Sequence, residues 1–179
     1  MSIVLVGLPG SGKSTVGRQL ARRLGLPFID SDHVIEQRLG CTIREFFERE
    51  GEDRFRDVES TVLDELTANG AAGVLSTGGG AVIRPQNREC LHARTQVVYL
   101  RSSPEEVFRR LRHDRNRPLL QVADPMKKLR ELHQQRDPLY REAAHYVVET
   151  GRPSVSTLVN MIVMQLELAG WAPQHPPTA

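Results

Sequence analysis

Apolar residues fall along the chain in two alternating rhythms, short unbroken runs and stripes of helical spacing. Ile3 to Val6 is a continuous apolar run that ends in a glycine-rich turn, and from Lys13 to Leu24 the residues Val16, Leu20, Ala21 and Leu24 recur at helical intervals. This reads as strand, loop, helix. Pro27 to Ile29 is a second strand candidate leading to Asp30 and Asp32, and Thr42 with Glu45 then forms a capping-box pattern before Phe46 and Phe47. Helices are expected after both. Phe55, Val58, Val62, Leu63 and Leu66 make one apolar stripe between Glu52 and Asn69. The run Gly73 to Thr77 reads as a third buried strand, closed by Gly78, Gly79 and Gly80.

Gln96 to Leu100 is a fourth strand, followed by Ser103, Pro104 and Glu106, which combine a cap, a proline at the first helical position and a capping-box acid. A helix to about Arg112 follows. From Arg112 to Asp124 the pattern becomes RHDRNRPLLQVAD, basic and then apolar without periodicity, and is read as a mobile lid. Helical spacing returns from Pro125 to Asp137, Tyr146 to Val148 reads as a fifth strand, and Leu158, Val159, Ile162, Val163 and Leu166 mark a last helix. Trp171 to Ala179, with three prolines, is expected to be a flexible tail.

Strands alternating with helices predict an α/β, three-layer architecture in which a five-stranded parallel sheet is covered by helices on both faces through right-handed crossovers. Ligands then sit at the carboxyl ends of the strands. The length, 179 residues, suits one domain. It is expected over residues 1–170, with the lid and the region after Asp30 as insertions on it.

Composition changes this picture little. Hydrophobic residues at 39% and charged residues at 26% are ordinary for a globular enzyme. The net charge of +2, from 24 basic against 22 acidic residues, is too small to imply nucleic-acid binding. Cys41 and Cys90 lie far apart without a CxxC or His pattern, so reduced thiols are expected rather than zinc or a disulfide. The start, MSIVLVGLPG, has no basic region or cleavage signal, and no segment approaches the roughly 20 apolar residues of a membrane span. A cytoplasmic monomer without membrane or nucleic-acid partners is expected.

Candidate chemistry begins at Gly7-Leu8-Pro9-Gly10-Ser11-Gly12-Lys13-Ser14, a full GxxxxGK[ST] phosphate loop. By chance the bare pattern would occur in a chain of this length at a frequency on the order of one in a hundred, so the flanking strand and helix decide the reading. Glycines let backbone N–H groups converge on phosphates at the positive end of a helix. Gly10, Ser11, Gly12, Lys13, Ser14 and Thr15 are the expected ATP contacts. Lys13 would bridge the β- and γ-phosphates, and the Ser14 hydroxyl would ligate Mg²⁺. No NKxD or LSGGQ-like motif accompanies the loop, which argues against a GTPase or a transporter ATPase.

The fourth strand runs into Arg101 and Ser102 and lacks the acid of an ordinary Walker B strand. Asp30 and Asp32 are the alternative carboxylates: in an extended segment both would project to one side, facing the phosphate loop. The plainer reading of Asp30-Ser31-Asp32 is helix capping by Ser31 or Asp32.

At this point the sequence resembles the shikimate kinases, a P-loop family of small-molecule kinases, from Ile3 to about Leu166. The motifs carrying the resemblance are GKSTVG, FIDSD, GEDRFRDVES with Phe55-Arg56, STGGG, RNRPLL and RDPLYRE, in that order. The resemblance implies ATP as co-substrate with Mg²⁺ and shikimate as acceptor, bound in a region of about 31–60. It further implies that Asp32, Arg56, Gly78, Gly79, Gly80 and Arg136 hold shikimate, with Asp32 near the attacking hydroxyl. Arg117 would be the lid arginine, Asp30 would hold Mg²⁺ through water beside Ser14, and Arg110, Arg152 and Pro153 would clasp adenine.

The residue chemistry agrees with those roles. Shikimate is a carboxylate bearing three hydroxyls, and arginine forks at Arg56 and Arg136 suit a carboxylate as lysine would not. The plain alternative for either arginine is a surface ion pair, and for Phe47 and Phe55 it is core packing. Asp32 is expected to be an ionised carboxylate of near-normal pKa, while Lys13, Mg²⁺ and Arg117 neutralise the transferred group. The rival enzyme readings are a gluconate kinase or a nucleoside monophosphate kinase; the glycine triplet, the FR pair and RDPLYRE fit a compact carboxylated polyol better than a nucleotide.

Overall fold

In the computed structural model, residues 2–70, 72–112 and 122–171 are described. The chain runs β1 (Ser2–Val6), α1 (Lys13–Leu24), β2 (Phe28–Asp30), α2 (Ser31–Leu39), α3 (Ile43–Glu50), α4 (Glu52–Thr67) and β3 (Gly73–Ser76). It continues with α5 (Pro85–Arg94), β4 (Gln96–Arg101), α6 (Pro104–Leu111), α7 (Pro125–Ala143), β5 (Tyr146–Glu149) and α8 (Val155–Leu168). The strands form one five-stranded sheet in the order β2-β3-β1-β4-β5, every pair parallel.

Alternation along the buried strands builds the three layers. In β1, Val4 and Val6 face a core completed by Leu75, Tyr99 and residues of α4, α5, α6 and α7. Ile3 and Leu5 face the opposite core, filled by Val16 and Leu20 of α1 and Leu158, Ile162 and Leu166 of α8. A third, smaller cluster centred on Ile35, Phe55 and Val62 joins α2, α3 and α4 beside the sheet.

Parallel pairing brings all strand carboxyl ends to one rim: Leu5 lies opposite Ser76, Asp30 opposite Ser76 and Arg101 opposite Glu149. The strand order reverses at central β1, and the phosphate loop leaves its end, the switch point where such sheets bind ligands.

The capping residues predicted at α6 form the reciprocal box, Glu106 N–H donating to Ser103 Oγ at 3.2 Å and Ser103 N–H to Glu106 Oε1 at 3.5 Å. At α3 only half the box exists: Glu45 N–H donates to Thr42 Oγ1, while Ile43 N–H is taken by Glu36 Oε2 of α2. Three features differ from the sequence reading. Helix α5 occupies a stretch that shows no apolar stripe, because Asn87 and Leu91 are its buried residues. Helix α7 continues beyond Asp137 to Ala143 through Pro138, which removes one N–H bond. Asp137 and Tyr140 anchor its last turns to β4 and to the glycine turn, which offsets that loss. The third difference concerns α2 and is described with the site.

Most of the lid (112–124) and nearly all of the expected tail lie outside the described residues. Among the described residues no helix is long and apolar enough to cross a membrane, and Cys41 and Cys90 are free.

Candidate active site

Two adjoining cavities open on the rim. The first, of about 390 Å³, is walled by the phosphate loop from Pro9 to Thr15, by Asp30 and Asp32, and by Ser76 to Gly79. Helix α1 starts directly from the loop, with Gly12 at its N-cap in the left-handed region (φ 92°) and no side chain covering the first N–H groups. A backbone N–H cradle at a helix start is what phosphate binding needs. Lys13 is buried, and its Nζ donates to the carbonyls of Gly7 and Leu8 at 2.8 Å each and to Ser11 Oγ at 3.4 Å.

Ser14 Oγ donates to Asp30 Oδ2 at 3.4 Å. A hydroxyl and a carboxylate oxygen converging beside the phosphate cavity form a hard-oxygen set that fits Mg²⁺.

The second cavity, of about 660 Å³, is walled by α3, α4 and α7 and by the glycine turn. Its lining includes Asp32, Phe47, Phe55, Arg56, Glu59, Gly78, Gly79, Gly80 and Arg136, so it collects every residue that the resemblance implied for the acceptor. Asp32, Pro9, Gly78 and Gly79 line both cavities. Asp32 therefore stands on the seam between them.

Asp30 and Asp32 reach that seam by a different route from the one predicted. The segment is not extended: α2 begins at Ser31, and the cap is neither Ser31 nor Asp32 but Asp30, whose Oδ1 accepts from Asp32 N–H at 3.0 Å. Asp30 is the last residue of β2 and Asp32 lies in the first helical turn. A carboxylate as N-cap satisfies an otherwise unpaired N–H and complements the helix dipole, so the helix starts at once.

The expectation of a near-normal Asp32 is corrected too. Burial first, then the neighbouring Asp30 and Glu59 carboxylates, raise its pKa from 3.8 to about 6, with Lys13 opposing. The sign of the consequence is fixed. A carboxyl whose folded pKa is raised holds its proton more tightly when folded, so its charge costs stability above about pH 6, and that cost disappears as pH falls through 6 towards 3.8. Asp32→Asn is accordingly expected to melt higher than the wild type at pH 8 without nucleotide and with EDTA, by on the order of 5 °C. The gap should close by pH 4. A thermal scan in which the variant melts lower at both pH values would contradict this.

Arg56 sits on α4 with its side chain nearly buried, donating to Glu59 Oε1 at 2.9 Å and to Glu52 Oε1 at 3.4 Å. The surface ion pair considered from sequence is thus a buried one. Its Nε has no hydrogen-bond partner among the described residues. Glu59 is 1% exposed, and burial raises its pKa while Arg56 opposes. The guanidinium also lies 5.1 Å from the Phe55 ring centre and 5.9 Å from that of Phe47. These two rings pack together at 4.9 Å and form cavity wall and local core at once.

The glycine triplet is required by close approach. A Cβ on Gly78 would come within 2.7 Å of Asp32 Oδ1, and one on Gly80 would fall into the Arg56 guanidinium. Opposite them Arg136 lines the cavity from α7. One turn on, the Tyr140 hydroxyl donates to the Gly79 carbonyl at 2.6 Å. Neighbouring Asp137 accepts from Tyr99 OH at 2.7 Å, Arg101 Nε at 3.1 Å and Arg141 Nε at 3.0 Å.

Of the residues expected at adenine, Arg110 donates to Gly10 O at 3.2 Å, which puts it over the phosphate loop. Arg152 and Pro153 follow β5. Arg110 and the start of that segment meet at Glu106, which lies 3.8 Å from Arg110 Nη2 and accepts from Thr150 Oγ1 at 2.9 Å. Arg117 lies outside the described residues.

Sequence reasoning passed over Glu59, Pro9 and Tyr140. The spacing of Glu59 from Arg56, three residues on a helix, was a usable signal; nothing local marks Pro9 as shared wall or Tyr140 as a partner of Gly79.

The shikimate kinase family model matches residues 9–167. The shikimate kinase of Paracidovorax citrulli is 65% identical over 178 residues, covering 98% of this chain and 97% of the relative. A solved structure of shikimate kinase from Acinetobacter baumannii in complex with shikimate is 51% identical, with a TM-score of 0.87 over 94% of this chain and 93% of that one. A gluconokinase from Sinorhizobium meliloti is 20% identical, with a TM-score of 0.57 over 94% of this chain and 92% of that one, a likeness of fold alone.

Proposed function

Since the chain belongs to the shikimate kinase family and is an ATP-dependent kinase, we propose how its residues divide the transfer of the γ-phosphoryl group from ATP to the 3-hydroxyl of shikimate. The observation that carries the reading is the position of Asp32 on the wall common to both cavities. ATP phosphates enter the first cavity and shikimate the second, and the acceptor hydroxyl meets the γ-phosphorus where they join.

In this reading the shikimate carboxylate is held by the forks of Arg56 and Arg136, with the unpartnered Arg56 Nε as further donor capacity. Glu59 fixes Arg56 in place and neutralises it when the site is empty. The backbone of Gly78, Gly79 and Gly80 meets hydroxyl groups at short range. Asp32 accepts a hydrogen bond from the attacking hydroxyl and takes its proton late; a pKa near 6 makes it a better base than an ordinary carboxylate, and one still mostly ionised at neutral pH.

Lys13 exchanges the Gly7 and Leu8 carbonyls for the β- and γ-phosphates, so no new positive charge must be buried when nucleotide binds. Ser14 and Asp30 would hold Mg²⁺, which supplies charge neutralisation on the phosphate oxygens. Arg117 is assigned to stabilise the γ-phosphoryl oxygens in a loose transition state. Arg110, Arg152 and Pro153 border adenine.

Arg136→Lys tests the acceptor assignment. The charge stays and the fork is lost, so shikimate affinity should fall by roughly tenfold while ATP affinity changes little. Calorimetry showing equal losses for both ligands would contradict the role.

A further inference from the structure

We propose that Tyr140 is a positioning residue of the acceptor site: its hydroxyl ties α7 to the glycine turn and so sets the direction of the Gly80 N–H. This rests on the reading of the second cavity as the acceptor site.

Tyr140 is 1% exposed, in the core between the sheet and α7. A buried hydroxyl needs a partner, and this one donates to Gly79 O at 2.6 Å, across 61 residues of sequence. The peptide group is planar and trans, so the Gly79 carbonyl and the Gly80 N–H point in opposite directions. Turning the carbonyl towards Tyr140 therefore points the Gly80 N–H away from Tyr140, in a turn whose glycines line the cavity. Glycine allows many backbone directions, and a run of three gives this wall little stiffness of its own. The Tyr140 bond supplies it.

Tyr140 is itself held from the sheet: its ring packs on Tyr99 of β4 at 4.9 Å.

A core role needs only the ring, which phenylalanine keeps. Tyr140→Phe is expected to raise the KM for shikimate about tenfold, with kcat and the KM for ATP within about twofold of the wild type. Tyr99→Phe is the control. It also loses a phenol hydroxyl, but Asp137 keeps Arg101 and Arg141 as donors, so the shikimate KM should stay within about twofold.

An unchanged shikimate KM in Tyr140→Phe, a parallel rise in the KM for ATP, or an equal rise in Tyr99→Phe would overturn the proposal. The wild type assayed beside them separates the two claims. Should it prefer another acceptor, the shikimate reading fails, and the KM for that acceptor decides the role of Tyr140 by the same comparison.

Discussion

Replacing Lys13 with alanine lowers kcat/KM by at least roughly 10²-fold, because one preorganised charge on the developing oxyanions is worth several kcal/mol. The size of the effect follows from where Lys13 sits. It is buried, opens α1, and in the empty site is held by two loop carbonyls and Ser11. Alanine leaves the Gly7 and Leu8 carbonyls without that donor and the phosphates without their charge, while the N–H cradle remains. Nucleotide affinity should therefore fall less than turnover. Stopped-flow binding of a fluorescent ATP analogue beside steady-state turnover separates the two, and near-wild-type turnover would remove the kinase mechanism described above.

The other large effect is at Asp32. Asp32→Asn keeps size and hydrogen bonding but removes the charge that accepts the proton, so kcat should fall by roughly 10²-fold or more. Asp30→Asn should differ in kind. Asp30 caps α2 and bonds the Ser14 hydroxyl, so its loss should raise the Mg²⁺ requirement and be partly recovered at high metal. No concentration of Mg²⁺ should restore Asp32→Asn. Turnover titrated against Mg²⁺ for both variants decides it. Recovery of Asp32→Asn with metal, and none for Asp30→Asn, would mean the two roles are reversed.

The fold was largely legible because the central strands of its sheet, β1, β3 and β4, are buried on both faces and read as apolar runs, and most of the covering helices read as apolar stripes. Where that link weakens, the sequence misleads. Helix α5 hides because a buried Asn87, donating to Ala81 O, takes the place of an apolar residue. The continuation of α7 past Pro138 depends on contacts of Asp137 and Tyr140 with distant residues, which no local pattern records. At the site, motifs revealed which residues matter but not their environment. The raised pKa of Asp32 comes from burial against Gly78 and from neighbouring carboxylates, among them Glu59 on another helix. Capping by Asp30 was hidden for a different reason: in Asp30-Ser31-Asp32 all three residue types are good N-caps, and only the backbone tells which residue stands at the helix boundary.

In the proposed mechanism one cavity selects shikimate, and its hydroxyl meets ATP at Asp32. The most direct measurement is ADP release by the purified protein with ATP and Mg²⁺, supplied separately with shikimate, gluconate and AMP. Shikimate should be phosphorylated at least about 10³-fold more efficiently than either alternative, since AMP brings no carboxylate to the arginine forks and open-chain gluconate does not hold its hydroxyls in the ring arrangement, which leaves buried polar groups unpaired. ADP release that is faster with gluconate or AMP, or equal for all three, would contradict it.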